Sequence, residues 1–323
     1  MKSSKKILTL ALAGIIGLSL FTACGNTSND KEKEVKLPTE INMTYVKAPL
    51  NVPSIIEKSN ESFDKEFESD GIDIKWHEIT SGPNQTQALA ADELQFLHAL
   101  GGTSAILAAS NGVDLKIINV YSRAPKAFMI ISKDEKIVSP SDLKGKKIGG
   151  PKGTVLHQLL LGALDQNELS QEDIEFINMG IPDAVAALNS GSIDAALLAG
   201  PAALKTISAG GKVVADGEGI VEGTIVTATS GKFASEHPEM IERFKKVHGE
   251  TVKYITENLD EAMEITSNEV GLDVESTKEM YSWYDFDMTI RDEDVAELKR
   301  TQEFLISNKL QQNEINIDDL VIR

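Results

Sequence analysis

Apolar and polar positions along this chain follow two rhythms, and their succession predicts most of the elements. Ile41 to Val46 alternates with the period of a half-buried strand, and Lys47-Ala48-Pro49-Leu50-Asn51-Val52-Pro53 breaks it with two prolines. Ser54 to Phe67 carries apolar residues at Ile55, Ile56, Phe63 and Phe67, a partial stripe that predicts one surface helix. Gly71 leads into a second alternating stretch, Ile72 to Ile79, which Ser81-Gly82-Pro83 stops, and Asn84 to Asp92 reads as a helix. Leu94 to Leu100 is a continuous apolar run, as suits a strand of a parallel sheet buried on both faces. Gly101-Gly102-Thr103-Ser104 ends that run and opens a helix over Ala105 to Ser110, and Asn111-Gly112 turns into a strand at Leu115 to Val120.

Strands alternating with helices at this spacing predict βαβ units, hence an α/β protein of mostly parallel sheets flanked by helices. Ligands of such sheets sit at the carboxyl ends of strands, where the loops at 47–53, 81–83 and 101–104 lie. Tyr121 to Lys126 breaks the rhythm, and Ala127 to Ile131 is a strand with no helix before it, which reads as a hinge into a second lobe. The rhythm then resumes. A strand ends in Gly149-Gly150-Pro151-Lys152-Gly153, Thr154 opens a helix over Val155 to Leu164, and further strands fall at Ile174 to Asn178, Ile193 to Leu198 and Lys212 to Ala215. Pro182-Asp183-Ala184 begins a helix that ends at Gly191, and Gly223 to Thr229 reads as a return strand. From Ser235 to Leu310 the pattern is mainly helical. The expected organisation is one lobe over 41–121, a second over 122–220, and a return over 221–323 that rejoins the first lobe and adds C-terminal helices.

The N-terminus changes the picture of where such a fold would work. Lys2, Lys5 and Lys6 form a basic segment, Ile7 to Phe21 is apolar, and Thr22 and Ala23 precede Cys24, the only cysteine. The apolar run is about 15 residues, short of the ~20 needed to span a bilayer. Residues 1–23 therefore read as a signal peptide of the lipoprotein kind, Cys24 as the lipidated mature N-terminus, and 24–40 as a polar tether. An uncleaved anchor and a plain secretory signal are the alternatives. The expected location is the extracytoplasmic face of the cell membrane, and no disulfide can form. The formal net charge is −18 for the chain, and becomes about −21 once the three lysines leave with the signal. Such acidity argues against nucleic acid as a partner.

The candidate chemistry lies at the two glycine and hydroxyl helix starts. A helix that opens on glycine and a hydroxyl leaves backbone N–H groups and the positive end of its dipole facing outward, which suits an anion or polar ligand. Thr103 and Ser104 at one start and Gly153 and Thr154 at the other are the lead candidates. His157, one turn into its helix, either faces the cleft or is packed. Lys47 and Arg123 are the cations nearest the expected cleft, each also explicable as a surface ion pair, while Lys144, Lys146 and Lys147 suit a solvated turn. Asp183 suits a helix cap, and Trp283-Tyr284-Asp285-Phe286 suits a packing cluster. There is no Gly-x-Ser-x-Gly, no Gly-x-x-x-x-Gly-Lys-Ser/Thr and no His-Glu-x-x-His, and the five histidines show no ligand spacing, so neither an enzyme, a metal nor a cofactor is expected.

Several stretches, taken in order, resemble a known family. These are Trp76-His77-Glu78 with Ser81-Gly82-Pro83, Leu97 to Ser104, Asp142-Leu143-Lys144-Gly145-Lys146-Lys147-Ile148, Gly153-Thr154 with His157, Gly191-Ser192-Ile193-Asp194-Ala195-Ala196, and Phe233-Ala234 with His237-Pro238-Glu239. Together they resemble the aliphatic-sulfonate, nitrate and taurine-type solute-binding proteins of ABC importers. The resemblance implies a two-lobed periplasmic-binding-protein fold of type II, with a small ligand clamped in the cleft and delivered to a permease and its ATPase by a monomeric receptor. Carried over by position, it implies a cleft lined by Asn51, Ser81, Gly82, Gly102, Thr103, Ser104, Gly153, Thr154 and His157. Where sulfonate binders of the family carry an aromatic and an acidic residue with proline, this chain has Ala199-Gly200-Pro201. Related members bind pyrimidines or flavins, so a vitamin-precursor receptor is one alternative. A tethered small-molecule enzyme and a surface sensor or adhesin are the others.

Overall fold

Residues 36–323, Ala48 apart, are described by the computed structural model, so the signal, Cys24 and most of the tether lie outside the described residues. The chain enters on β1 (Glu40–Tyr45), passes through α1 (Val52–Ser59) and α2 (Ser62–Phe67), and lays β2 (Asp73–Glu78) parallel to β1, with Met43 opposite Trp76. The single helix expected over 54–67 is thus two. Asn60 ends the first by donating its N–H to the Ile56 carbonyl, and Glu61 turns left-handed at φ 51°, which lets Phe63 and Phe67 swing into the core beside Phe244. Then come α3 (Gly82–Ala90), β3 (Leu97–Gly101), α4 (Gly102–Ser110) and β4 (Lys116–Ser122).

A separate five-stranded sheet is built from β5 (Phe128–Ser132), β6 (Lys147–Gly150), β7 (Glu175–Asn178), β8 (Ala195–Ala199) and β9 (Lys212–Asp216), in the order β7-β6-β8-β5-β9. Its helices are α5 (Val155–Asp165), α6 (Ile181–Ser190) and α7 (Gly200–Ser208). The chain then returns as β10 (Ile225–Thr229), inserted between β3 and β4. The βα repeats are parallel. The strands next to the crossings, β5 and β10, run antiparallel to their neighbours, because each enters its sheet from the other lobe. The C-terminal part is helical, with α8 (Gly231–Glu236), α9 (Pro238–Glu257), α10 (Leu259–Val270), α11 (Val274–Tyr281), α12 (Asp292–Ser307) and α13 (Ile317–Leu320).

The two crossings run close together. At Gly223, φ is 66° and a Cβ would come within 2.6 Å of the Ala124 carbonyl oxygen, so only glycine fits beside the other crossing. Arg123 pins this region to the C-terminal segment. Its guanidinium reaches both carboxylate oxygens of the buried Asp294 at 2.6 Å, and the Asp287 and Thr289 carbonyls at 2.9 Å. Arg123 is therefore a structural anchor rather than a free cation near a ligand.

The apolar stripes meet in large buried clusters. Phe96, just before β3, stacks on Phe244 of α9 at 4.3 Å, and Tyr121, Phe63 and Phe67 are fully buried, each worth about 1.5–3 kcal/mol of burial. No helix among the described residues is long and apolar enough to cross a membrane.

Candidate functional site

Each βα unit sends its helix away from the carboxyl end of a strand, so the helices start at the same edge of the sheets. Ser81, Gly101, Thr154, Gly180 and Ala199 are the N-cap residues of α3, α4, α5, α6 and α7, and all five line one cavity of about 90 Å³ between the lobes. Only Thr154 has a side-chain cap, its hydroxyl accepting from the His157 N–H at 3.4 Å. The other four starts have no side-chain cap, so their first-turn N–H groups lack that local acceptor. Hydroxyls of Ser81, Ser104 and Thr154 and the carboxamide of Gln85 complete the polar lining, and Val46, Phe128, Leu156 and Ile225 are among the apolar walls. Among the described residues, no charged side chain lines this cavity. Its electrostatics come from dipoles pointing inward, which favour negative charge without a lysine or arginine.

Of the residues expected at the site, Ser81, Gly82, Ser104 and Thr154 line the cavity, and the others stand behind it. The close fit at Gly82 is strict, since a Cβ there would meet Ser104 Oγ at 2.4 Å. Gly102 donates its N–H to the Thr224 carbonyl at 2.9 Å, and Gly153 offers its carbonyl to Ser104 Oγ at 2.8 Å. Thr103 faces across the lobes, its hydroxyl donating to Gln158 Oε1 at 2.5 Å while Gln158 Nε2 donates to Thr301 at 3.2 Å. Asn51 is buried below the cleft, tied to the Val46 carbonyl at 2.7 Å. His157 is packed rather than presented. It is 1% exposed, its ring lies 4.7 Å from that of Phe176, and burial, with Lys152 nearby, lowers its pKa to about 4. Asp183 sits inside the first turn of α6, whose N-cap is Gly180, so it favours that helix start as a charge rather than as a cap.

The sequence reading missed Gln85, Gly180, Ile181 and the start of α7. Proline at the first turns of α3, α6 and α7 was the available signal, because proline suits a helix start. Beyond Thr80 and Ile181 a wider groove of about 550 Å³ opens between α6, α7 and the end of α10. Lys47 stands on its rim, paired with Glu269 at 3.0 Å, and Lys205 reaches over to the Val270 carbonyl at 2.8 Å. Trp283 to Phe286 packs as a cluster, with Tyr284 stacked on Phe286 at 5.3 Å and its hydroxyl accepting from the Leu50 N–H.

Away from the cleft, Glu57 of α1 joins His98 of β3 and His248 of α9, all fully buried. One carboxylate oxygen pairs with His98 Nε2 and the other with His248 Nδ1, the latter at 2.8 Å. Burial alone would raise the Glu57 pKa, but the two imidazoles override it and bring it to about 2. A metal-bound imidazole normally donates its far N–H to an oxygen, and here His98 Nδ1 and His248 Nε2 have no partner. The trio therefore fits a hydrogen-bonded clamp across three elements better than a metal centre.

Comparison with known proteins gives this geometry its relatives. The family described as NMT1/THI5 like matches residues 67–262. A candidate aliphatic sulfonates-binding protein of Bacillus subtilis (strain 168) is 31% identical over 98% of this chain and 94% of its own length. The taurine-binding periplasmic protein of Escherichia coli (strain K12) is 28% identical over 64% of each chain. Among solved structures, the alkanesulfonate-binding protein SsuA from Xanthomonas axonopodis pv. citri bound to MOPS superposes with a TM-score of 0.81. The identity is 20%, over 88% of this chain and 99% of that one. The periplasmic aliphatic sulphonate binding protein SsuA from Escherichia coli gives a TM-score of 0.75 at 22% identity, over 89% and 93% of the two chains. At those identities the structures establish the type II periplasmic-binding-protein fold.

Proposed function

The chain belongs to the NMT1/THI5-like family, a family of binding proteins rather than enzymes, and from that premise we propose that it captures a small organosulfonate for an ABC importer. In this reading it is held by a lipid on Cys24 at the extracytoplasmic membrane face and hands its ligand to a permease. The observation that carries the reading is the convergence of five helix starts on one uncharged cavity. A sulfonate spreads one charge over three acceptor oxygens and has no proton to give near neutral pH. Inward N–H groups and hydroxyls match it without the desolvation penalty of burying a counter-cation. Nitrate shares the charge and the acceptors, whereas a flavin ring system exceeds a cavity of about 90 Å³. A cavity of about 150 Å³ holds benzene.

Isothermal titration of the purified soluble part, residues 25–323, against methanesulfonate, ethanesulfonate, nitrate, a pyrimidine and riboflavin tests this. A sulfonate is expected to bind, and Ser81→Ala, which removes a cavity hydroxyl that caps no helix, to weaken it about tenfold, as loss of one hydroxyl to a charged group would. Binding of the pyrimidine or the flavin with no response to any sulfonate overturns the proposal.

A further inference from the structure

Gln85 is a polar side chain on the cavity wall whose unpaired atom accepts rather than donates, and so does not suit an anion. It stands on the first turns of α3, is 1% exposed, and lines the cavity between the Ser81 and Ala99 walls. Its Nε2 donates to the Ile79 carbonyl at 2.9 Å and to the Ala99 carbonyl at 3.3 Å. Two carbonyls on that side fix which end of the amide is nitrogen, because the reverse orientation would set oxygen against oxygen. Oε1 is thereby held in place, and it has no partner in the protein. A buried acceptor left unpaired costs about 1–3 kcal/mol.

A bare sulfonate head cannot satisfy this oxygen, since it too only accepts. The partner must be a donor elsewhere on the ligand, either a hydroxyl or an ammonium. The two differ in what they demand. An ammonium brings a full charge and three donors, and no charged side chain among the described residues lines the cavity to receive them. A hydroxyl brings one donor and asks for one acceptor, and it carries no charge for the uncharged wall to offset. The cavity volume of about 90 Å³ keeps such a group within a short carbon spacer of the acid, because a longer ligand must pass Thr80 and Ile181 into the outer groove.

We infer that Gln85 is a specificity-determining residue that accepts a hydrogen bond from a hydroxyl on the ligand, so that the preferred solutes are short hydroxyalkanesulfonates. This rests on the sulfonate reading of the same cavity. The test is titration of the wild-type protein with ethanesulfonate, 2-hydroxyethanesulfonate and 2-aminoethanesulfonate, repeated with Gln85→Met and Gln85→Glu. In the wild type the hydroxy compound is expected to bind about tenfold more tightly than ethanesulfonate, and the amino compound no better than ethanesulfonate. Gln85→Met is expected to abolish the hydroxyl preference, so that 2-hydroxyethanesulfonate and ethanesulfonate bind alike. Gln85→Glu is expected to weaken all three and to shift the order toward the amino compound. If one or both variants fail to fold, the ranking in the wild type alone decides. Equal affinities for the first two ligands, tightest binding of the amino compound, or a hydroxyl preference that survives in Gln85→Met would each overturn the inference. None of these three outcomes touches the sulfonate reading. Failure of all three ligands to bind would overturn that reading and this inference together.

Discussion

A buried imidazole that must stay neutral makes a protein sensitive to acid, and His157 is such a group. Its pKa falls to about 4 in the fold from an ordinary 6.5, through burial first and Lys152 second. The unfolded chain therefore takes up the proton first as pH drops, and stability is lost between about pH 6.5 and 4, with about 2 kcal/mol gone by pH 5. His98 is lowered in the same direction by its burial, and Glu57, at about 2, adds a loss that begins only below pH 4.5. His157→Leu, which keeps the packing on Phe176, is expected to reduce the drop in urea midpoint between pH 7 and pH 5 without changing ligand affinity at pH 7. A fall in affinity at pH 7 would instead place the ring in the binding machinery. That His157 packs inward was not legible in the chain. Its position on a helix was, but which neighbour covered the ring depended on Phe176, a residue of another element. Gln85 was hidden for the same reason, since its two carbonyl partners lie on segments brought together only by folding.

Helix starts are the elements from which the candidate site is made, and they differ in how visible they were. Gly101 to Ser104 and Gly153-Thr154 could be read because glycine and a hydroxyl between a strand and an apolar run form a local signal. Ala199-Gly200-Pro201 carried a weaker one, and a Gly-Pro pair after a strand reads equally well as a turn. Here it is the first turn of α7, with Gly200 at φ 52° and so close to the other lobe that a Cβ would come within 2.9 Å of the Leu50 nitrogen. Gly200→Ala is thus expected to act as a wedge between α7 and the loop at Pro49. Ligand affinity should fall at least about tenfold, while the left-handed backbone costs only about 1–2 kcal/mol of stability. Calorimetry read beside thermal melting checks this, and an unchanged affinity would show that the contact does not matter for binding.

Over the whole molecule, the proposed capture of an anion by a strongly acidic protein would set short-range attraction against long-range repulsion. The formal net charge of −18 repels an approaching anion, whereas the grip proposed for the cavity would come from dipoles within a few ångströms and be little screened. Raising salt from 10 to 150 mM is therefore expected to speed ligand association by about two- to fivefold and to leave dissociation nearly unchanged in stopped-flow measurements. A slower association at high salt would reveal an attractive basic path into the cleft. The α/β class, the crossing near Arg123 and the return strand at β10 were all legible, because strand and helix periods differ and change at recognisable turns.

The convergence of uncapped helix starts has a further consequence, for how such a receptor can change through descent. Backbone N–H groups survive almost every substitution, so on the proposed reading the power to hold an anion would be inherited with the fold and be hard to lose by point mutation. Side chains set among them, such as Gln85, Phe128 and Ile181, would then be the positions at which solute preference changes. A lineage can therefore exchange one solute for another while every intermediate still binds something.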